Sequence, residues 1–166
     1  SGKIFAFGGE RWSGGWTYLS TNERYDPSAN SWSTAASMPT ARAYLAAVAH
    51  GTKIYVFGGI TGSTSLSVVE AYDPTANSWS TVAPMPAARH GIAAALSGDT
   101  IYVVGGWNSG ARSTVEAYDP IANAWTTLNS ISTGRSTVGA AVLGGRLYAI
   151  GGATASVTLS SVEAAP

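Results

Sequence analysis

The sequence predicts an all-β fold assembled from copies of one unit of about 47 residues, a period at which repeats build a propeller or a solenoid. Three observations carry this. Gly-Gly recurs at Gly8-Gly9, Gly58-Gly59, Gly105-Gly106 and Gly151-Gly152, each time after a short apolar run. In register with these come Tyr25-Asp26-Pro27, Tyr72-Asp73-Pro74 and Tyr118-Asp119-Pro120, then Trp32, Trp79 and Trp125, then Arg42, Arg89 and Arg135. No run has a 3.6-residue apolar period long enough for a helix, and 20 glycines among 166 residues suit a chain of many turns.

Each unit reads as four short strands. Strand A, as in 43–49 and 91–96, is built from Ala, Val, Leu and Gly, small residues that fit where sheets converge. A tight turn follows at His50-Gly51-Thr52-Lys53, Ser97-Gly98-Asp99-Thr100 or Leu143-Gly144-Gly145-Arg146, with glycine supplying the positive φ that hairpin turns demand. Strand B runs Ile54-Tyr55-Val56-Phe57, Ile101-Tyr102-Val103-Val104 or Leu147-Tyr148-Ala149-Ile150 and reads as buried on both faces. After a variable polar loop comes strand C, Val68-Val69-Glu70-Ala71-Tyr72, which Asp73-Pro74 ends because proline cannot donate to a ladder. Strand D starts near Trp79. The pattern Asp-Pro-x-Ala-Asn-x-Trp is therefore a C-to-D hairpin whose Asp and Asn are expected to satisfy turn amides.

Gly-Gly, Tyr-Asp-Pro, Trp and Arg in this fixed order resemble the Kelch repeat over essentially the whole chain. The resemblance implies wedge-shaped, four-stranded antiparallel blades around a central channel, strand A innermost and strand D outermost. Glycines, tyrosines and tryptophans that recur once per unit are then scaffold. The units are 1–40, lacking strand A; 41–87; 88–133; and 134–166, lacking strand D: a partial ring of two complete and two incomplete blades. Many Kelch rings close by making one blade from both chain ends, but B-C-D and A-B-C duplicate B and C and cannot merge. Three arrangements remain open: these blades continue in a longer parent chain, two copies form a homodimer that completes a ring, or four blades close alone.

Nine basic and nine acidic residues give no net charge and no basic stripe, which argues against nucleic-acid or membrane-surface partners. No apolar stretch is long enough to span a bilayer, and no signal-peptide pattern is present. The absence of cysteine removes disulfides, thiolate catalysis and zinc-thiolate sites.

Function is expected where the repeats differ, in the B-to-C loops. The first carries Trp12, Trp16 and Tyr18 beside Arg11; the third carries Trp107, Asn108 and Arg112. Aromatics with arginine are the composition of a recognition hot spot, suited to stacking a sugar ring or capturing a peptide side chain. Alternatively the tryptophans cap the blade beneath them. By the resemblance, Arg42, Arg89 and Arg135 lie on the same face near the channel mouth, where arginines of some Kelch proteins bind acidic peptides. Bidentate guanidinium groups suit that role. The competing reading pairs them with Glu23, Glu70, Glu116 and Glu163, which repeat with the same period. Tyr44, His90 and Ser136, variable residues next to the arginines, are the candidates for specificity.

Catalysis finds little support. His50 and His90 are isolated in sequence, and most carboxylates sit at repeat positions, leaving only Glu10 and Asp99 uncommitted. No phosphate loop occurs, and no metal or cofactor is expected. Among Kelch-type enzymes, a copper radical oxidase needs a cysteine cross-linked to tyrosine, which this chain lacks. The expectation is a non-catalytic module binding a protein or glycan ligand through its B-to-C and D-to-A loops. The alternatives are part of a carbohydrate-active enzyme with catalytic groups elsewhere, or a self-assembling propeller fragment with no ligand.

Overall fold

A computed structural model describes residues 2–165, in which every regular element is a β-strand. The first blade contains β1 (Ile4–Phe7), a small hairpin of β2 (Glu10–Trp12) and β3 (Trp16–Tyr18), then β4 (Asn22–Asp26) and β5 (Ser31–Thr34). The second contains β6 (Ala46–His50), β7 (Lys53–Phe57), a two-residue hairpin of β8 (Ile60–Thr61) and β9 (Thr64–Ser65), then β10 (Val69–Asp73) and β11 (Ser78–Val82). The third is β12 (Ala93–Ser97), β13 (Thr100–Val104), β14 (Val115–Asp119) and β15 (Ala124–Leu128); the fourth is β16 (Gly139–Leu143), β17 (Arg146–Ile150) and β18 (Val162–Ala164). Sheet orders β1-β4-β5, β6-β7-β10-β11, β12-β13-β14-β15 and β16-β17-β18 reproduce the expected count of two complete and two incomplete blades, antiparallel throughout.

Side chains shared between blades explain the repeats. Phe5 and Phe7 of blade one meet Tyr72 and Trp79 of blade two edge-on, and Tyr55 and Phe57 of blade two meet Tyr118 and Trp125 of blade three. Such T-shaped contacts set positive ring edges on negative ring faces. Burial pushes the Tyr118 phenol up to about 12, aided by Tyr55 and Asp119. At the third junction Ala165 stands where the tyrosine would be, and Val104, Leu147 and Ala149 fill the space with smaller side chains.

The Asp-Pro turns behave as expected in one half and differently in the other. Asp26, Asp73 and Asp119 each accept two amides of their own turn, the Asx geometry that fixes a hairpin. The asparagines reach elsewhere. Asn77 accepts the Tyr72 hydroxyl at 2.7 Å and the Ala36 amide of the preceding blade at 2.8 Å. Asn123 does the same with Tyr118 and Ala83. Trp79 and Trp125 donate Nε1–H to those same preceding segments, at the carbonyls of Ala36 and Ala83. Asn and Trp thus tie one blade to the previous one, a role invisible in a single repeat. Among the described residues no blade packs against Trp32, which is 57% exposed.

Burial of strand B on both faces holds for the inner blades, where Val56, Phe57, Ile101, Val103 and Val104 are inaccessible. It does not hold at the ends: Ile4 on β1 and Ile150 on β17 are exposed, together with Leu143 and Val162. Each lies on a blade with an uncovered face.

Candidate functional site

One face of the blades is built from the B-to-C segments and the arginine-bearing D-to-A segments. Its backbone is continuous across blades: the Gly91 amide donates to the Tyr44 carbonyl at 2.8 Å and the Thr137 amide to the Gly91 carbonyl at 2.7 Å. These three residues are equivalent, each two positions after its arginine, and all have positive φ: 53°, 61° and 48°. The register corrects one expectation. His90 and Ser136 are equivalent to Ala43, not to Tyr44, since Ala43, His90 and Ser136 make the matching bridges to Ile60, Trp107 and Ala153. Tyrosine and threonine therefore occupy a left-handed position that glycine fills freely, at a cost of about 1–2 kcal/mol.

A shallow cleft of ≈ 310 Å³ opens between these residues, lined by Tyr44, His90, Gly91, Trp107, Ser136 and Thr137. Four predicted residues, Tyr44, His90, Trp107 and Ser136, thus converge from three blades. Tyr44 is 50% exposed; its ring lies 6.2 Å from the His90 ring and its hydroxyl donates to Glu10 Oε1 at 2.8 Å. That carboxylate pushes the phenol above its ordinary range. His90 Nδ1 is 2.9 Å from the Ser65 hydroxyl, and burial holds its pKa below the usual imidazole value, so the ring is neutral at pH 7. Ser65 and Glu10 escaped the sequence reading. Both act through hairpins that composition did not announce, because the first two B-to-C segments are β-ribbons rather than loops.

Trp12 and Trp16 face each other across β2–β3, ring centroids 5.2 Å apart, and remain 64% and 59% exposed. They do not cap a blade. Tyr18 anchors this ribbon to blade two by donating to the Gly62 carbonyl at 2.9 Å. Asn108 and Arg112 are engaged locally: Asn108 Nδ2 donates to the Ala88 carbonyl and Arg112 Nη2 to the Asn108 carbonyl. They brace the Trp107 loop and do not line the cleft.

Arg42, Arg89 and Arg135 are fully buried, which corrects their assignment to a ligand surface. Arg42 donates to Glu70 at 2.9 Å and to the carbonyls of Gly58, Val68 and Val56; Arg89 pairs with Glu116 at 2.5 Å; Arg135 pairs with Glu163 and donates to the carbonyls of Gly151 and Ser161. Burial lowers the pKa of Arg42 and Arg89 while the paired glutamate opposes it. Arg42 and Arg135 bridge the end of strand B and strand C of their own blades, whereas Arg89 bonds only Glu116 on strand C, its Nε and Nη1 buried without a partner among the described residues; all three are inaccessible to an external carboxylate.

A larger cleft, ≈ 570 Å³, opens on the opposite face, lined by Lys3, Phe5 and Arg24 of blade one and by Ala49, Gly51 and Lys53 of blade two. It lies beside the free edge of β1, where inner blades carry a strand A. It is therefore separate from the loop face.

A profile described as the KLHDC2/KLHL20/DRC7 Kelch-repeats domain matches residues 1–152. No curated protein matches the sequence. Among solved structures, one described as "Structure of YjhT" is similar with a TM-score of 0.82 and 20% sequence identity, over 92% of this chain and 56% of that one. At such identity the likeness is one of fold, and the chain spans little more than half the length of that relative.

Proposed function

Given that the chain belongs to the Kelch-repeat family, we propose that it is a non-catalytic recognition module whose loop face binds a protein or glycan ligand. The observation that carries this is the convergence of Tyr44, His90, Trp107 and Ser136 on one cleft, two aromatic walls beside a neutral imidazole and a hydroxyl. Aromatic faces supply apolar contact at low entropic cost, and His90 and Ser136 supply directional hydrogen bonds. The exposed pair Trp12–Trp16 on the β2–β3 ribbon extends the face outward. A catalytic reading draws less support. The Ser65–His90 contact lacks a carboxylate orienting the imidazole among the described residues, and the cleft is shallow.

The test is a screen of immobilised glycans and peptides with the wild-type chain and with His90→Ala/Trp107→Ala. Ligands that the double variant loses, its thermal unfolding unchanged, support the reading. Ligands that bind both equally, or none at all, refute it. A second copy is the proposed partner for the uncovered end blades, whose exposed Ile4, Trp32, Ile150 and Val162 form apolar faces that a twofold axis pairs first with last. Light scattering should return twice the chain mass; a stable single-chain mass removes the dimer.

A further inference from the structure

Unlike its counterparts, the first B-to-C segment carries a carboxylate. Residues 60–67, 107–113 and 153–160 hold no acidic side chain, whereas Glu10 stands at the base of the β2–β3 ribbon. Its Oε1 accepts the Tyr44 hydroxyl at 2.8 Å; among the described residues its other oxygen accepts no bond and it pairs with no cation. The register defines its surroundings. Glu10 is paired across the ribbon with Tyr18 and Trp12 with Trp16, so these side chains form two successive rungs of one ribbon face, about 7 Å apart along the strand. Arg11 and Thr17 make the rung between them and project to the other face.

The aromatic face is the one turned toward blade two. Both residues of its lower rung bond that blade, Glu10 through Tyr44 and Tyr18 through the Gly62 carbonyl at 2.9 Å. The base of the ribbon is closed by the Leu19 amide on the Gly9 carbonyl, also 2.9 Å. A neighbour on the far side of blade one would meet the Arg11 face, so the openness of the tryptophans depends on contacts within the described residues alone. Trp12 and Trp16 meet at 66° with centroids 5.2 Å apart, and each is more than half exposed. Such an edge-to-face pair leaves indole faces uncovered, and the face is the negative part of the ring quadrupole.

Resting on the reading of the loop face as a recognition surface, the geometry points to the β2–β3 ribbon as a reader of an arginine side chain presented by a partner protein. The guanidinium lies flat on an exposed indole of the upper rung and donates to the Glu10 carboxylate of the lower one. Indole faces and an unpaired carboxylate both favour a cation. Arginine fits better than lysine, because a planar guanidinium stacks on an aromatic plane and donates in parallel to a carboxylate, whereas an ammonium is a strongly hydrated point charge. The tryptophans form an open surface, suited to a side chain delivered by a peptide rather than to a small molecule that must be enclosed. Arg11 lies on the opposite face and Arg112 is bonded to the Asn108 carbonyl, so neither neutralises Glu10.

The probes are three tripeptides blocked at both ends, with arginine, lysine or citrulline between two glycines, citrulline being an uncharged shape mimic of arginine. Each is titrated into the isotope-labelled full chain while the indole N–H signals are followed by NMR. The arginine peptide should shift the Trp12 and Trp16 signals saturably with one dissociation constant. The lysine peptide should bind about threefold more weakly and the citrulline peptide about tenfold more weakly. Glu10→Gln keeps the oxygen that accepts the Tyr44 hydroxyl, so it should leave the unfolding temperature in place while weakening the arginine peptide by about tenfold. No saturable shift at Trp12 and Trp16, or equal binding by the citrulline peptide or by Glu10→Gln, overturns the proposal. The Trp107 signal reports the cleft separately: a ligand from the glycan and peptide screen that moves Trp107 upholds the loop face, and failure of the tripeptides at Trp12 and Trp16 then removes the arginine reader alone.

Discussion

Replacing Trp79 by alanine should destabilise the chain far more than the same change at its repeat equivalent Trp32. Trp79 donates to the Ala36 carbonyl of the preceding blade at 2.7 Å and contacts Tyr72 at 5.0 Å and Phe7 at 5.5 Å. Its loss removes one neutral hydrogen bond, worth about 1 kcal/mol, and two aromatic pairs, each about 0.5–1.5 kcal/mol. Adding the partial cavity gives roughly 3 kcal/mol, the low end of the ~3–5 kcal/mol range of fully buried Trp→Ala changes, because Trp79 keeps some exposure. Trp32 retains only the Tyr25 contact at 5.2 Å and is 57% exposed, so its loss should cost about 1 kcal/mol or less. For a chain of this size the difference is a Tm gap of about 4–8 °C in calorimetry. Equal shifts would refute the argument, since they would mean that the tryptophans act within their own blades or that Trp32 is covered by a neighbour.

Two further substitutions separate scaffold from site. Arg89→Leu leaves Glu116, 2% exposed, as a buried charge without its partner and should cost about 3–5 kcal/mol in chemical denaturation; a loss below 1 kcal/mol would show that the pair is not buried. Tyr44→Gly relieves the left-handed backbone, so stability should hold or rise by up to about 1 kcal/mol while ligand binding falls, and a large loss of stability would contradict the placement of Tyr44 on an open face.

Period alone revealed which residues are scaffold, because a side chain required once per blade must recur once per unit. The Arg–Glu pairs were legible in that way: Arg42 and Glu70 repeat together, and a buried cation needs a buried anion. What period cannot reveal is the interface across which a repeated residue acts. Asn77 resembles an ordinary turn residue, yet its carbonyl oxygen receives an amide 41 positions earlier. The candidate site was legible as a list of variable residues and not as a constellation. Tyr44 stands two positions after Arg42 and His90 one position after Arg89, a shift by one that the residue count carries and the shared positive φ of Tyr44, Gly91 and Thr137 makes physical. The roles of Glu10 and Ser65 depend on two short ribbons bending toward the D-to-A segments, a geometry that no local composition encodes.

The account stands or falls on the face used for recognition. Hydrogen-exchange mapping of the chain with the tightest ligand from the screen tests it most directly. Protection is predicted at residues 44, 90–91, 107 and 136–137, where the cleft lies, and exchange should be unchanged at the turns 51–53 and 73–75 of the opposite face. Protection confined to those opposite turns would contradict it.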